Sequence, residues 1–116
     1  NNNTGPMVAY CWTAETSKSA FGNYNGTGTS GTVINIGFEP AWLMVKRTDV
    51  ADEWQILDNK RNPSNPRNSI LNANDKEKEV TDALYNMNFL PTGFEPLRGD
   101  NGSNSATGTY IYMAFA

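Results

Sequence analysis

The chain has no histidine and a single cysteine, Cys11, in 116 residues. Without an imidazole it lacks the usual general base, the nitrogen partner of a Ser or Cys nucleophile, and the commonest transition-metal ligand. A lone cysteine closes no internal disulfide, so stability must come from packing, oligomerisation or a bound ion. Positive charge is sparse. Nine Lys and Arg stand scattered against twelve Asp and Glu, for a net charge of -3. That is neither the basic footprint of a nucleic-acid binder nor a polybasic membrane patch. No apolar run approaches the ~20 residues that span a bilayer, and the opening Asn1-Asn2-Asn3-Thr4-Gly5-Pro6, read as a polar turn, has no signal-peptide character.

What is abundant is turn chemistry: 16 Asn, 10 Gly and 6 Pro, with many Ser and Thr. Asn, Ser and Thr side chains compete for backbone hydrogen bonds, and Gly supplies positive φ, so short strands joined by tight turns are expected rather than helices. The length suits one domain, residues 1–116, with a sandwich-sized core.

Met7-Val8-Ala9-Tyr10-Cys11-Trp12 reads as a first strand, with Cys11 as a small buried hydrophobe, and residues 20–24 as a second. Asn25-Gly26 offers a tight hairpin turn into residues 32–38, where Ile34, Ile36 and Phe38 share one face. After Pro40, residues 41–47 form a nearly continuous apolar strand covered on both faces. It pairs as a hairpin with residues 53–58, in which Trp54 and Ile56 alternate with Gln55. Residues 59–74 read as an Asn- and Pro-rich loop. Residues 75–84 fit either two turns of helix, with Val80, Ala83 and Leu84 on one face, or a charged solvated loop. Phe89-Leu90 and Gly93-Phe94 read as a short strand pair or a bulge, residues 98–108 as a long polar loop, and residues 109–116 as a closing strand. In that strand Tyr110, Tyr112 and Ala114 oppose Ile111, Met113 and Phe115. The opening and closing aromatic strands echo each other. This fits a unit of a larger or repeated fibre protein, and equally one domain with two similar strands.

Four blocks carry a further signal. They are the segment from Gly37-Phe38-Glu39-Pro40-Ala41-Trp42 to Arg47-Thr48-Asp49; Trp54-Gln55-Ile56-Leu57-Asp58-Asn59-Lys60-Arg61-Asn62-Pro63; Asn88-Phe89-Leu90 with Gly93-Phe94; and Gly108-Thr109-Tyr110-Ile111-Tyr112-Met113-Ala114-Phe115-Ala116. In order and spacing they resemble a lectin-like domain of tail-fibre and other virion structural proteins of marine bacteriophages, over most of the chain from about Phe21 onward. The resemblance implies a jelly-roll, concanavalin A-like form of the antiparallel β-sandwich that the residues themselves indicate. It also implies a virion address after synthesis in the host cytoplasm, and a structural or host-contacting role. It implies no known ligand.

No catalytic residue is expected. The carboxylate pairs Asp49 with Asp52 and Glu77 with Glu79 read as solvated surface. Lys46-Arg47 and Lys60-Arg61 read as structural ion pairs with Asp49 and Asp58, or as anion contacts. Asp100-Asn101-Gly102-Ser103-Asn104 has the oxygen ligand types that calcium uses but no EF-hand spacing, so a plain turn is expected and no metal or cofactor is assigned. Arg98-Gly99-Asp100 spells an adhesion tripeptide, read as coincidence. Asn2-Asn3-Thr4, Asn25-Gly26-Thr27 and Asn101-Gly102-Ser103 match glycosylation acceptors, a pattern common in an Asn-rich chain. Exposed Trp and Tyr would stack on sugar rings, but Trp42 and Trp54 are assigned to the core, leaving Tyr24, Asp100, Asn101 and Asn104 as surface binding candidates.

The expected function is therefore a non-enzymatic virion module of a tail fibre or surface appendage. Its partners would be copies of itself or neighbouring virion subunits, and a host-surface glycan, with no nucleic acid and no membrane insertion. A capsid decoration protein and a carbohydrate-active enzyme domain are the alternatives.

Overall fold

The computed structural model describes residues 4–116. The expected turn at residues 1–6 and the acceptor Asn2-Asn3-Thr4 fall largely outside them. The described residues form nine strands: β1 (Ser19–Asn25), β2 (Ile34–Asn35), β3 (Trp42–Arg47), β4 (Trp54–Asp58), β5 (Ser69–Asn72), β6 (Val80–Thr81), β7 (Met87–Leu90), β8 (Gly93–Pro96) and β9 (Thr109–Phe115). They build two antiparallel sheets, one of six strands in the order β1-β9-β3-β4-β5-β6 and one of three in the order β2-β8-β7. The all-β antiparallel sandwich indicated by the sequence is present.

The closing strand β9 is the axis of the larger sheet. Tyr110 lies opposite Tyr24 and Arg47, Tyr112 opposite Gly22 and Val45, and Ala114 opposite Ala20 and Leu43. Side chains alternate across a strand, so these residues share the inner face. There Leu43, Val45, Leu57, Ile70, Tyr110 and Ala114 meet Met87, Phe89 and Phe94 of the smaller sheet, with Phe38 at the margin. Burying each large apolar side chain contributes about 1.5–3 kcal/mol. Phe94 packs edge-on against Tyr24 and Tyr112, with ring centroids 5.7 and 5.4 Å away.

Several expectations need correction. Residues 7–12 form no strand, and Cys11 is exposed rather than buried. The segment is an extended arm that enters no strand ladder and lies beside the outer face of the larger sheet. Consequently the two aromatic ends of the chain are not equivalent. Asn25-Gly26 makes no hairpin, since Gly26 N–H donates to Gly108 O at 2.9 Å and so continues the β1–β9 pairing. Residues 32–38 shorten to the two-residue β2, which Gly37 ends at φ 85°; Ile34, Ile36 and Phe38 nevertheless turn to the core.

The β3–β4 hairpin forms in the expected pairing, but β3 is buried on one face only, through Leu43, Val45 and Arg47. In β4 the polarity is reversed: Gln55 and Leu57 face inward, while Trp54 and Ile56 face outward. Residues 59–74 contain the strand β5, and residues 75–84 hold β6 with exposed Val80 and Leu84 instead of a helical face. A single 3-10 turn, Ala83–Tyr85, starts where Asp82 Oδ1 accepts from Leu84 N–H at 2.8 Å. The β7–β8 hairpin is as expected.

Candidate functional site

The residues singled out by sequence gather at one end of the inner layer, but mostly as core. Tyr24 is not a surface aromatic. Its ring stacks on Tyr110 at 5.1 Å and its hydroxyl donates to Ser103 O at 2.6 Å. Burial pushes its phenol well above the ordinary value. Asn104 is buried: its Oδ1 accepts from Thr27 N–H at 2.9 Å, and its Nδ2 donates to Thr29 O and Arg98 O at 3.0 and 3.1 Å. Asp100 is buried as well, with Oδ2 accepting from Gln55 Nε2 at 2.9 Å and Ser103 Oγ at 3.1 Å. Burial raises its carboxyl, and these two hydrogen bonds pull it part of the way back. Asn101 alone of the four is exposed.

The loop of residues 98–108 is thus a plug whose polar groups are spent internally. Its hydroxyl anchor is Tyr110 Oη, which accepts from Ser105 N–H and donates to Asn101 O, each at 2.8 Å. With its carboxylate turned inward, Asp100 presents no adhesion tripeptide. Among the described residues no group of three or more His, Cys, Asp or Glu is placed to hold a metal ion. The expected ion pairs form between Arg47 and Asp49 at 2.9 Å and between Arg61 and Asp58 at 2.6 Å.

An apolar concavity lies on the opposite, outer face of the larger sheet. Register places Phe21, Met113 and Met44 in one row, and Ile111, Lys46 and Trp54 in the next. The arm crosses beside them. Tyr10 and Trp12, with ring centroids 6.1 Å apart, form the remaining wall of a groove of about 570 Å³. That volume falls in the usual range of small-ligand sites, roughly 300–1,000 Å³. Met7, Val8, Tyr10 and Trp12 are 66, 77, 78 and 54% exposed, so the arm contributes little burial to the fold.

Lys46 is the one charged residue lining the groove. Its ammonium donates to the Arg47 backbone carbonyl and pairs with no carboxylate among the described residues. Sequence reading assigned Trp54 to the core, gave Lys46 as an ion pair or an anion contact without a groove around it, and took the arm for a strand. The available signal was that β3 and β9 are apolar on both faces, although only one face of a two-layer sandwich can be core.

Fold and groove together define an antiparallel β-sandwich with an aromatic outer face. The chain belongs to a family described as a domain of unknown function (DUF7483), whose model matches residues 1–116. No curated protein and no solved structure matches the chain.

Proposed function

We propose that this module is a non-enzymatic structural and adhesive part of a bacteriophage virion, carried on a tail fibre or similar surface appendage. It assembles with copies of itself or neighbouring subunits and touches a host-surface glycan. The observation that carries this reading is the groove. The outer face of the sheet presents Trp54 and Lys46 beside an exposed aromatic arm, and a binding face of this kind needs no catalytic group. The four-block resemblance supplies the virion address. No helix among the described residues is long and apolar enough to cross a membrane.

Immunogold labelling of purified phage particles, with peptide mass spectrometry of the same preparation, tests the address. Label on fibres or appendages is the expected result. Recovery of the chain solely in the particle-free fraction overturns it, and label spread evenly over the capsid replaces an appendage with a decoration role.

A further inference from the structure

We infer that the groove between the arm and the outer face of β9, β3 and β4 binds an acidic pyranose, a sugar ring bearing a carboxylate, with its ring against the Trp12 and Trp54 indoles and its carboxylate on Lys46. This deepens the adhesive reading above and rests on it.

The argument starts from the donor inventory of the lining. Lys46 is donor-only, and its single carbonyl contact leaves ammonium protons to spare. The indole N–H groups of Trp12 and Trp54 and the hydroxyl of Tyr10 find no partner among the described residues. Indole nitrogen donates and does not accept, so side-chain acceptors among the lining residues are confined to tyrosine hydroxyls. The remaining outward-facing side chains of the lining are apolar: Phe21, Met44, Ile111 and Met113. A matching ligand is rich in acceptors, carries negative charge and offers apolar C–H faces to aromatic rings.

An acidic pyranose has those three properties on one ring. A neutral hexose offers the C–H faces but no charge for the ammonium, and a purely aliphatic ligand leaves the ammonium and both indole donors unanswered. Charge decides the point, because the chain is net negative and an anion is held only where a local cation meets it. The inner-face cation Arg47 is already committed to Asp49.

The test titrates the intact chain with an alginate hexasaccharide, a polymer of uronic acids, and with maltohexaose as the neutral control, reading tryptophan emission and heat. Saturable binding of the uronate oligomer is expected, with Lys46→Met and Trp12→Ala each weakening it about tenfold, roughly 1.4 kcal/mol. Lys46→Arg should restore most of the affinity. Trp12 sits on the exposed arm and Lys46 at the sheet surface, and urea unfolding of each variant verifies that the fold is kept. Arg98→Met, at a separate concavity beside Ser30, Asn86 and Leu97, should leave binding unchanged.

Equal binding of maltohexaose, or uronate binding indifferent to both Lys46→Met and Trp12→Ala, overturns the groove assignment while leaving a host-binding module in place. Absence of binding to either oligomer also overturns it. Concentration-dependent self-association that Trp12→Ala abolishes, seen by sedimentation velocity, assigns the groove to a second copy and overturns the sugar. Particle labelling is unaffected by any of these results, so failure of the groove is distinguishable from failure of the virion reading.

Discussion

Gln55 Nε2 donates to Asp100 Oδ2 at 2.9 Å, a buried hydrogen bond between residues 45 positions apart that ties the polar plug to the inner face of β4. Gly102 belongs to the same contact. A Cβ there would stand 2.2 Å from Gln55 Nε2, so the loop closes over the amide only because position 102 has no side chain. Asp100→Ala removes the acceptor and leaves a buried amide without its partner, which costs about 1–3 kcal/mol. Asp100→Asn keeps an acceptor oxygen and should cost distinctly less. Urea midpoints of the two variants against the parent chain measure the difference.

Acid stability follows from two carboxyls displaced in opposite directions. The bidentate hydrogen bond from Arg47 holds Asp49 below its ordinary value of 3.8, so its contribution is present above that value and is lost as pH falls toward the folded pKa. Burial raises Asp100 above 3.8, so its contribution is full below 3.8 and is lost as pH rises through the raised value. On acidification the first loses stability while the second recovers some. Asp49→Asn should therefore flatten the fall in urea midpoint between pH 7 and pH 3, and Asp100→Asn should steepen it.

Gly22 is required by an aromatic ring rather than by a turn. A Cβ at this position would lie 2.7 Å from Tyr112 Oη and 2.9 Å from Cζ, and the ring is backed by Phe94 and Tyr24. Gly22→Ala is expected to cost about 1–3 kcal/mol through overpacking. Because the nearest atom is the hydroxyl, Tyr112→Phe in the same chain should recover part of that loss, giving a non-additive double-mutant cycle. Gly5→Ala, with nothing within 4 Å, serves as the neutral reference.

The two-sheet fold was legible because β3, β4 and β9 carry strong β-forming residues punctuated by turn chemistry, and Phe89 and Phe94 mark the β7–β8 pair. Orientation was less legible. Gln55 reads as the solvent-facing member of its strand, yet it is buried because a partner 45 residues away satisfies its amide, and local alternation contains no trace of that partner. The arm reads as a strand for the complementary reason: its residues have the propensity, but propensity alone makes no strand without a partner ladder, and residues 7–12 pair with none. Asp100 and Asn104 looked solvent-facing from residue type alone. Their side chains are inward because the backbone of residues 27–29 and Gln55 supply the complementary groups. The groove was hidden since it joins the arm to four strands, three of which, β3, β4 and β9, are distant from it in sequence.

The Asn-rich segment before β5 does the work of a missing strand. Arg67 and Met87 exchange two backbone hydrogen bonds of 2.8 Å, and the next contact along β7 is made by a side chain. Asn65 Oδ1 accepts from Phe89 N–H at 2.9 Å, while its Nδ2 donates to Phe89 O at 2.7 Å. One amide thus caps both main-chain groups of a residue whose own ring is in the core. Asn65→Ala opens that edge and should cost about 1–3 kcal/mol. Amide exchange at Phe89 should accelerate selectively, with the Phe94 amide on the neighbouring strand keeping its protection apart from the global loss. Asn65→Asp retains the acceptor but loses the donor, so the Phe89 amide should stay more protected than in the alanine variant. Equal exchange at Phe89 in all three chains would show that water or a backbone group caps this edge instead of the Asn65 side chain.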